Sequence, residues 1–154
     1  MKSKGAIALS LLVISAMAVT PAHATSTRAE YATQAEPICK SSNEDFQHLW
    51  KRFLRLSKQY PFKIQAAANA LERMGRNYTS FVGSLRLIAP PPGDEALISQ
   101  WLDLHSQAAA KYPLAASAYR RNDYKKLNRL IGSANRLATR ASSFMSDFPF
   151  HYCA

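Results

Sequence analysis

Apolar residues recur at intervals of three and four positions through four stretches of this chain, between Tyr31 and Phe148. Residues with that spacing lie on one face of an α-helix. The alternation of apolar and polar positions that is typical of a half-buried strand is almost absent. The pattern therefore predicts an all-α fold of four amphipathic helices.

Prolines bound the first two stretches. The first runs from Tyr31 to Tyr60 and is followed by Pro61. Pro37 within it predicts either a kink or the start of the regular helix, because proline lacks a backbone donor. The second runs from Ile64 to Ile88, and its period is typical of helices that pack antiparallel at shallow angles. Three prolines and a glycine follow it, a segment that no helix crosses.

The other two stretches complete a four-helix arrangement. The third runs from Leu97 to Tyr119, and Pro113 predicts a kink in it. The fourth runs from Tyr124 to Phe148, and Asn122 or Asp123 precedes it as a candidate N-cap. With the shallow packing angles that the period favours, we expect an antiparallel, up-down-up-down four-helix bundle.

The first 24 residues have the layout of a secretory signal. Two lysines are followed by an apolar run from Ala6 to Val19 and by a small-x-small site that ends at Ala24. The alternative is a retained membrane anchor, but the run is shorter than the roughly 20 residues that span a bilayer. We expect cleavage after Ala24, a single domain over residues 25–154 with no transmembrane anchor, and a secreted or extracytoplasmic location.

Cys39 and Cys153 are the two cysteines of the chain. Thiols of an exported protein meet an oxidising compartment, where disulfides persist. Two cysteines allow one intramolecular pairing, and in an up-down-up-down bundle both would lie at the same end. The alternative is a reactive or intermolecular thiol, for which the Cys-x-x-Cys spacing of redox sites is missing. We expect a bundle closed by the disulfide.

The chain is strongly basic, with 20 Lys and Arg, 10 Asp and Glu and a net charge of +10. Removal of the signal takes two lysines away and leaves +8. Such an excess favours anionic partners, here an envelope polymer or a lipid surface; the familiar nucleic-acid-reading motifs are missing, so nucleic acid is not expected. The alternative is an ordinary solvated helix face. The candidate anion-binding residues are Lys51, Arg55, Lys58, Lys125, Arg129, Arg136 and Arg140.

Few residues carry recognisable chemistry. There is no nucleophile elbow or phosphate-binding glycine loop, so we expect no enzymatic activity. His48, His105 and His151 fall on three separate segments, and a metal site is not expected.

An alternative function is a carrier of an apolar ligand or haem in the bundle interior, with His105 and Tyr112 as its candidate residues. Covalent haem attachment is excluded, since Cys-x-x-Cys-His is absent.

Three short motifs carry a resemblance. The segment Tyr31–Lys40, with its Ile-Cys-Lys end, the segment Leu85–Pro91 and the single C-terminal Cys153 resemble those of a group of uncharacterised secreted proteins and lipoproteins of actinobacteria. The resemblance covers most of residues 30–154 and implies a helical bundle with a disulfide, but no activity. Where that group has Gly-Leu before its last cysteine, this chain has Pro149 and Phe150.

These observations favour one function over the carrier. We expect a non-enzymatic binding or structural module at or outside the cell envelope, acting through a basic helix face and without a cofactor. The sequence identifies neither the partner nor the oligomeric state.

Overall fold

The structure is a computed structural model that describes residues 26–153. The helices of this part of the chain are α1 (Arg28–Ser57), α2 (Ile64–Leu85), α3 (Glu95–Ala109), α4 (Lys111–Arg120) and α5 (Tyr124–Phe144). No strand occurs between residues 26 and 153, so the prediction of an all-α fold is confirmed. The predicted secretory signal and its cleavage site after Ala24 lie outside the described residues.

The third predicted helix is present as two helices, α3 and α4, with Ala110 between them. The break lies three residues before Pro113. Proline has no N–H, so the carbonyl of Ala109 loses the partner that a continuous helix would supply. The kink predicted from Pro113 is therefore confirmed, and α3 and α4 together form one column of a four-column bundle.

Helix α1 begins earlier than its apolar pattern indicates. It starts at Arg28, and Pro37 lies inside it on the exposed side. A capping box fixes the start: the Glu30 backbone N–H donates to Thr27 Oγ1 at 3.2 Å, and the Thr27 N–H donates to Glu30 Oε2 at 2.8 Å. Of the two interpretations of Pro37, a helix start at that residue is excluded.

Helix α5 has the predicted start and a different end. The Asp123 carboxylate accepts a hydrogen bond from the Lys126 N–H at 2.9 Å, which identifies Asp123 as the N-cap. The apolar pattern predicts that the helix continues to Phe148, but it ends at Phe144. Pro149 disfavours helical dihedrals at Phe148, whose ring instead joins the core as part of an irregular segment.

The core has two clusters, one at each end of the bundle. The disulfide-end cluster joins the first half of α1 to the ends of α2 and α5 and the start of α3; Tyr31, Leu85 and Trp101 are among its members. The far-end cluster includes Phe53 from the end of α1 and Leu127 from the start of α5. The helix ends that share a cluster alternate along the chain, as up-down-up-down connections require.

The helices pack unequally around the bundle. Helix α1 packs against α2, which packs against α3 and α4, and α5 packs against α3 and α4. No Cα atom of α1 lies within 8 Å of one in α5. The two helices at the ends of this series are therefore connected through side chains and through the segment that follows α5.

That last segment folds back on α1. Cys153 forms a disulfide with Cys39, their Cα atoms 5.1 Å apart, so the predicted closure of the bundle is confirmed. The Glu36 carboxylate accepts hydrogen bonds from the backbone N–H groups of His151 at 2.7 Å and Tyr152 at 3.0 Å. A covalent bond and a carboxylate thus fix the same three C-terminal residues to one turn of α1.

Gly75 lets α2 approach the α3–α4 kink closely. A β-carbon added there would lie 3.1 Å from Pro113 Cδ and 3.2 Å from both the Ala109 carbonyl oxygen and Tyr112 Cβ. Gly83, on the same helix, has no such neighbour within 4 Å. The two glycines therefore have the same helix propensity and different surroundings.

We expect alanine to have opposite effects at these positions. Gly83→Ala should stabilise the protein by about 0.5 to 1 kcal/mol, because alanine loses less backbone entropy in a helix. Gly75→Ala should destabilise it by about 1 to 2 kcal/mol, because backbone and proline ring must move. Urea unfolding measures both. Equal stabilisation by the two substitutions would contradict the close approach at Gly75.

Candidate functional site

The seven predicted anion-binding residues are all exposed. Lys51, Arg55 and Lys58 lie on the last turns of α1, and Lys125 and Arg129 on the first turns of α5. Phe53 of α1 and Leu127 of α5 belong to the same far-end cluster, so those turns lie at the same end of the bundle. Five of the seven predicted residues therefore lie at the end of the bundle opposite the disulfide.

Direct contacts confirm that these turns meet. The ring of Tyr60, in the α1–α2 connection, lies 6.2 Å from that of Tyr124, the first residue of α5. Tyr124 in turn lies 6.0 Å from Tyr119 at the end of α4, and Tyr119 lies 5.5 Å from Phe53 of α1. An aromatic chain thus joins the two connections at this end of the bundle.

The other two predicted residues lie further away. At 1.5 Å per residue, Arg136 is roughly 16 Å along α5 from Lys125, and Arg140 roughly 22 Å. The Arg140 guanidinium lies over the ring of Phe144, 5.8 Å from its centroid, and beside α3, and the next residue, Ala141, belongs to the disulfide-end cluster. Arg140 is therefore part of the opposite end.

The two basic rows do not form one flat face. At 3.6 residues per turn, Lys51 and Arg55 point away from the side of α1 that buries Phe53. Arg129 likewise points away from the side of α5 that buries Leu127. Since α1 and α5 do not pack against each other, the rows diverge. Both rows nevertheless lie at the same end of the bundle, opposite the disulfide.

Dividing each column at its midpoint separates the charges. The half opposite the disulfide, residues 43–74 and 108–134, has twelve basic and four acidic residues, a net charge of +8. The remaining described residues have six of each sign and a net charge of zero. We call the charged part the basic half. The whole net charge of residues 26–153 belongs to it.

Most cations of the basic half have no structural partner. Three ion pairs occur among residues 26–153, and Arg120 is the one basic-half cation that takes part. Its guanidinium donates to Gln65, Asn69 and Glu72 on successive turns of α2, at 2.7 to 3.0 Å, and so fastens α4 to α2. The other eleven Lys and Arg residues of the basic half form no ion pair among the described residues.

Six of these cations were not among the seven predicted residues: Arg52, Lys63, Arg73, Lys111, Arg121 and Lys126. Lys63 and Arg121 lie in connections, and the other four lie on helices. Helical spacing could not select Lys63 and Arg121, because residues of a connection follow no helical period. A count of charge along the chain could have found Arg52 and Lys63, since residues 46–71 contain five basic residues and no acidic ones.

Phe62 is a further residue that the sequence analysis did not select. It lies in the α1–α2 connection with 89% of its surface exposed. Backbone hydrogen bonds hold this connection as a turn: the Lys63 N–H donates to the Gln59 carbonyl at 3.2 Å, and the Ile64 N–H to that of Pro61 at 3.4 Å. The basic half therefore ends in a hydrogen-bonded turn that exposes an aromatic ring.

His105, the candidate ligand of the carrier hypothesis, lies in the interior with 8% of its surface exposed. Both ring nitrogens lack a hydrogen-bond partner. The rings of Phe81, Trp101 and Tyr78 surround it, with centroids at 5.2, 5.5 and 5.7 Å. Burial lowers the pKa of His105 from its ordinary 6.5 to about 4, so the imidazole is neutral at pH 7.

The surroundings of His105 are filled by protein side chains. Tyr112 stacks on Tyr78 at 5.8 Å, which places Tyr78 beside both candidate residues of the carrier hypothesis. A groove of about 670 Å³ lies between α2 and the α3–α4 column, lined by Gly75, Thr79 and Pro113 among others, but not by His105. The carrier hypothesis stays a prediction.

His48 and His151 are exposed and lie on separate elements. Within residues 26–153, no three His, Cys, Asp or Glu side chains converge as they would around a metal ion. The same residues include no helix that is both long and apolar enough to cross a membrane.

Comparison with known proteins adds no family to this description. The chain matches no protein-family model, and searches of curated proteins and of solved structures found no significant match. The resemblance to secreted proteins of actinobacteria therefore stays a prediction.

We expect His105 to make the protein less stable in mild acid. Between pH 6.5 and about 4 the unfolded chain binds a proton at this residue and the folded chain does not, so stability falls as the pH falls through that window. The loss should reach about 3 kcal/mol and level off below pH 4.

His105→Phe should remove most of this dependence while keeping an aromatic ring in the core. Urea unfolding of both proteins at pH 7, 5.5 and 4.5 measures the difference. Carboxylates contribute mainly below this window, because the ordinary pKa values of Asp and Glu are near 4. Parallel curves for the two proteins would contradict the buried, neutral His105.

Proposed function

We propose that this protein is a non-enzymatic binding module that acts in an extracytoplasmic compartment on an extended anionic partner, through the basic half. One observation carries the proposal: the net charge of +8 belongs to one half of the bundle, and eleven of its twelve cations have no ion-pair partner among the described residues. A disulfide and a predicted secretory signal support the compartment.

The arrangement of these charges favours an extended partner over a small anion. A small anion is bound where several donors converge on one point. Here the cations extend over two diverging helix faces and two connections. Such a distribution fits a partner with many negative charges, for instance an anionic polymer or surface, which several cations contact at once.

Binding of this kind follows from long-range electrostatics. Exposed Lys and Arg side chains keep most of their hydration when they meet a charged surface, so little desolvation opposes contact. Their attraction is screened over about 30 Å at 0.01 M salt and about 3 Å at 1 M. We therefore expect affinity to fall steeply with ionic strength.

Binding to immobilised heparin, used as a polyanion probe, tests this proposal. We expect the purified, disulfide-bonded protein to be retained at low salt and released by a NaCl gradient. Lys58→Glu with Lys125→Glu should weaken binding by roughly tenfold or more, because it reverses two charges at the end of the basic half.

The matched control is Lys40→Glu with Arg140→Glu, which changes the net charge equally in the other half. It should have a much smaller effect. Equal losses in the two variants would mean that net charge alone causes retention, and this result would refute a binding surface in the basic half. So would a wild-type protein that passes through the column at low salt.

A further inference from the structure

We propose that the anionic partner of the basic half is a lipid membrane surface, and that Phe62 inserts into it as an apolar anchor. This inference rests on the function proposed above and specifies the partner of the same surface. One exposed aromatic ring lies there among cations that form no ion pair. We call this region the apex of the bundle: the α1–α2 connection (residues 58–63) with Leu54 of α1 and Tyr124 and Lys125 of α5.

Phe62 has no role in the folded core. It belongs to neither core cluster, whereas its neighbour Tyr60 packs on Tyr124. Backbone hydrogen bonds hold the turn around Pro61 that carries this ring. A single exposed apolar residue is common on proteins and indicates nothing by itself. The inference therefore depends on the basic and aromatic residues near Phe62.

The charged residues of the connection that carries Phe62 are both basic. Lys58 and Lys63 flank it in the same connection, and the Tyr60–Tyr124 contact brings Lys125 alongside. Residues 46–71 contain no acidic side chain that would repel an anionic surface. Apart from Asp123, whose carboxylate caps α5, the charged residues of this connection and of the first turn of α5 are basic.

The tyrosines of the apex have the exposure expected of interfacial residues. Tyr60 is 45% and Tyr124 43% exposed, and Leu54 of α1 is 43% exposed. Tyrosine concentrates at membrane–water interfaces, where its ring meets acyl chains and its hydroxyl stays hydrated. Behind these rings, Lys and Arg lie where lipid phosphates would be.

A membrane uses every part of this apex, and a soluble polyanion uses only the charges. An apolar side chain gains free energy by leaving water for the acyl boundary, and basic residues gain from anionic headgroups; together they give reversible interfacial binding. A dissolved polymer offers Phe62 no apolar environment. The structure therefore favours a lipid surface.

Sedimentation with vesicles tests the inference. We expect the disulfide-bonded protein to bind vesicles of phosphatidylcholine and phosphatidylglycerol at low salt and to bind pure phosphatidylcholine much more weakly. Phe62→Ala should raise the apparent dissociation constant for the anionic vesicles by about tenfold. The same substitution should leave heparin binding unchanged.

Leu87→Ala is the matched control. Leu87 is 88% exposed, almost the same as Phe62, but lies just beyond α2 at the disulfide end. Its removal should leave vesicle binding unchanged. Both substitutions affect exposed residues outside the core, so loss of folding does not complicate the comparison.

Tryptophan fluorescence measures directly whether residue 62 enters the acyl region of the membrane. Phe62→Trp should give a blue-shifted emission with anionic vesicles, beyond the change in the wild-type protein, and quenching by brominated acyl chains. If Phe62→Ala binds anionic vesicles as tightly as wild type, or the new tryptophan is not quenched, the inference is refuted.

The two proposals fail in different ways. Binding to heparin without binding to anionic vesicles would refute the lipid surface and leave the anion-binding function in place. Equal binding to anionic and neutral vesicles would refute the role of the cations. Failure to bind either probe would refute both proposals.

Discussion

The attachment of the C-terminal segment to α1 is the constraint on which the bundle depends. Helices α1 and α5 do not pack against each other, so the closure passes through the Cys39–Cys153 disulfide, which spans 114 positions. A cross-link over a loop of that length stabilises a fold by roughly 4 to 5 kcal/mol in the chain-entropy account. Glu36, one turn before Cys39, adds hydrogen bonds to the same segment.

The two halves of the bundle differ in how their charged side chains are paired. In the half that holds the disulfide, acidic side chains have structural partners: Glu36 binds backbone amides, Asp94 accepts two hydrogen bonds from Arg28 at 2.6 and 2.7 Å, and Asp103 pairs with Arg86. The hydrogen-bonded Arg28 guanidinium holds the pKa of Asp94 below its ordinary value. The basic half has four carboxylates against twelve cations, and one ion pair among the described residues, Arg120 with Glu72, uses one of those cations.

Local sequence patterns predicted the parts of the fold that local physics controls. The helical period identified the four columns, Pro113 the kink and Asp123 the start of α5, because each depends on residues within a few positions. Thr27 and Glu30 could have identified the true start of α1, since their spacing is that of a capping box. Phe148 continued the apolar period of α5 but does not belong to the helix, because the effect of Pro149 outweighs periodicity.

The candidate site was harder to predict, because it depends on which helices are neighbours. Spacing selected Lys51 and Arg55 on one helix and Arg129 and Arg140 on another. It could not reveal that these rows diverge, nor that Arg140 lies at the other end. Phe62 and Lys63 follow no period at all, and their importance appears once Tyr60 is seen to join the two connections.

The central claim is that anionic partners meet the basic half and not the half with the disulfide. Amide chemical shifts of the isotopically labelled protein, followed by NMR during titration with a heparin oligosaccharide, test it most directly. The account predicts shifts concentrated in residues 49–66 and 119–130, with residues 26–42 and 141–153 unchanged. Shifts in the disulfide half, or shifts spread evenly over the bundle, would contradict it.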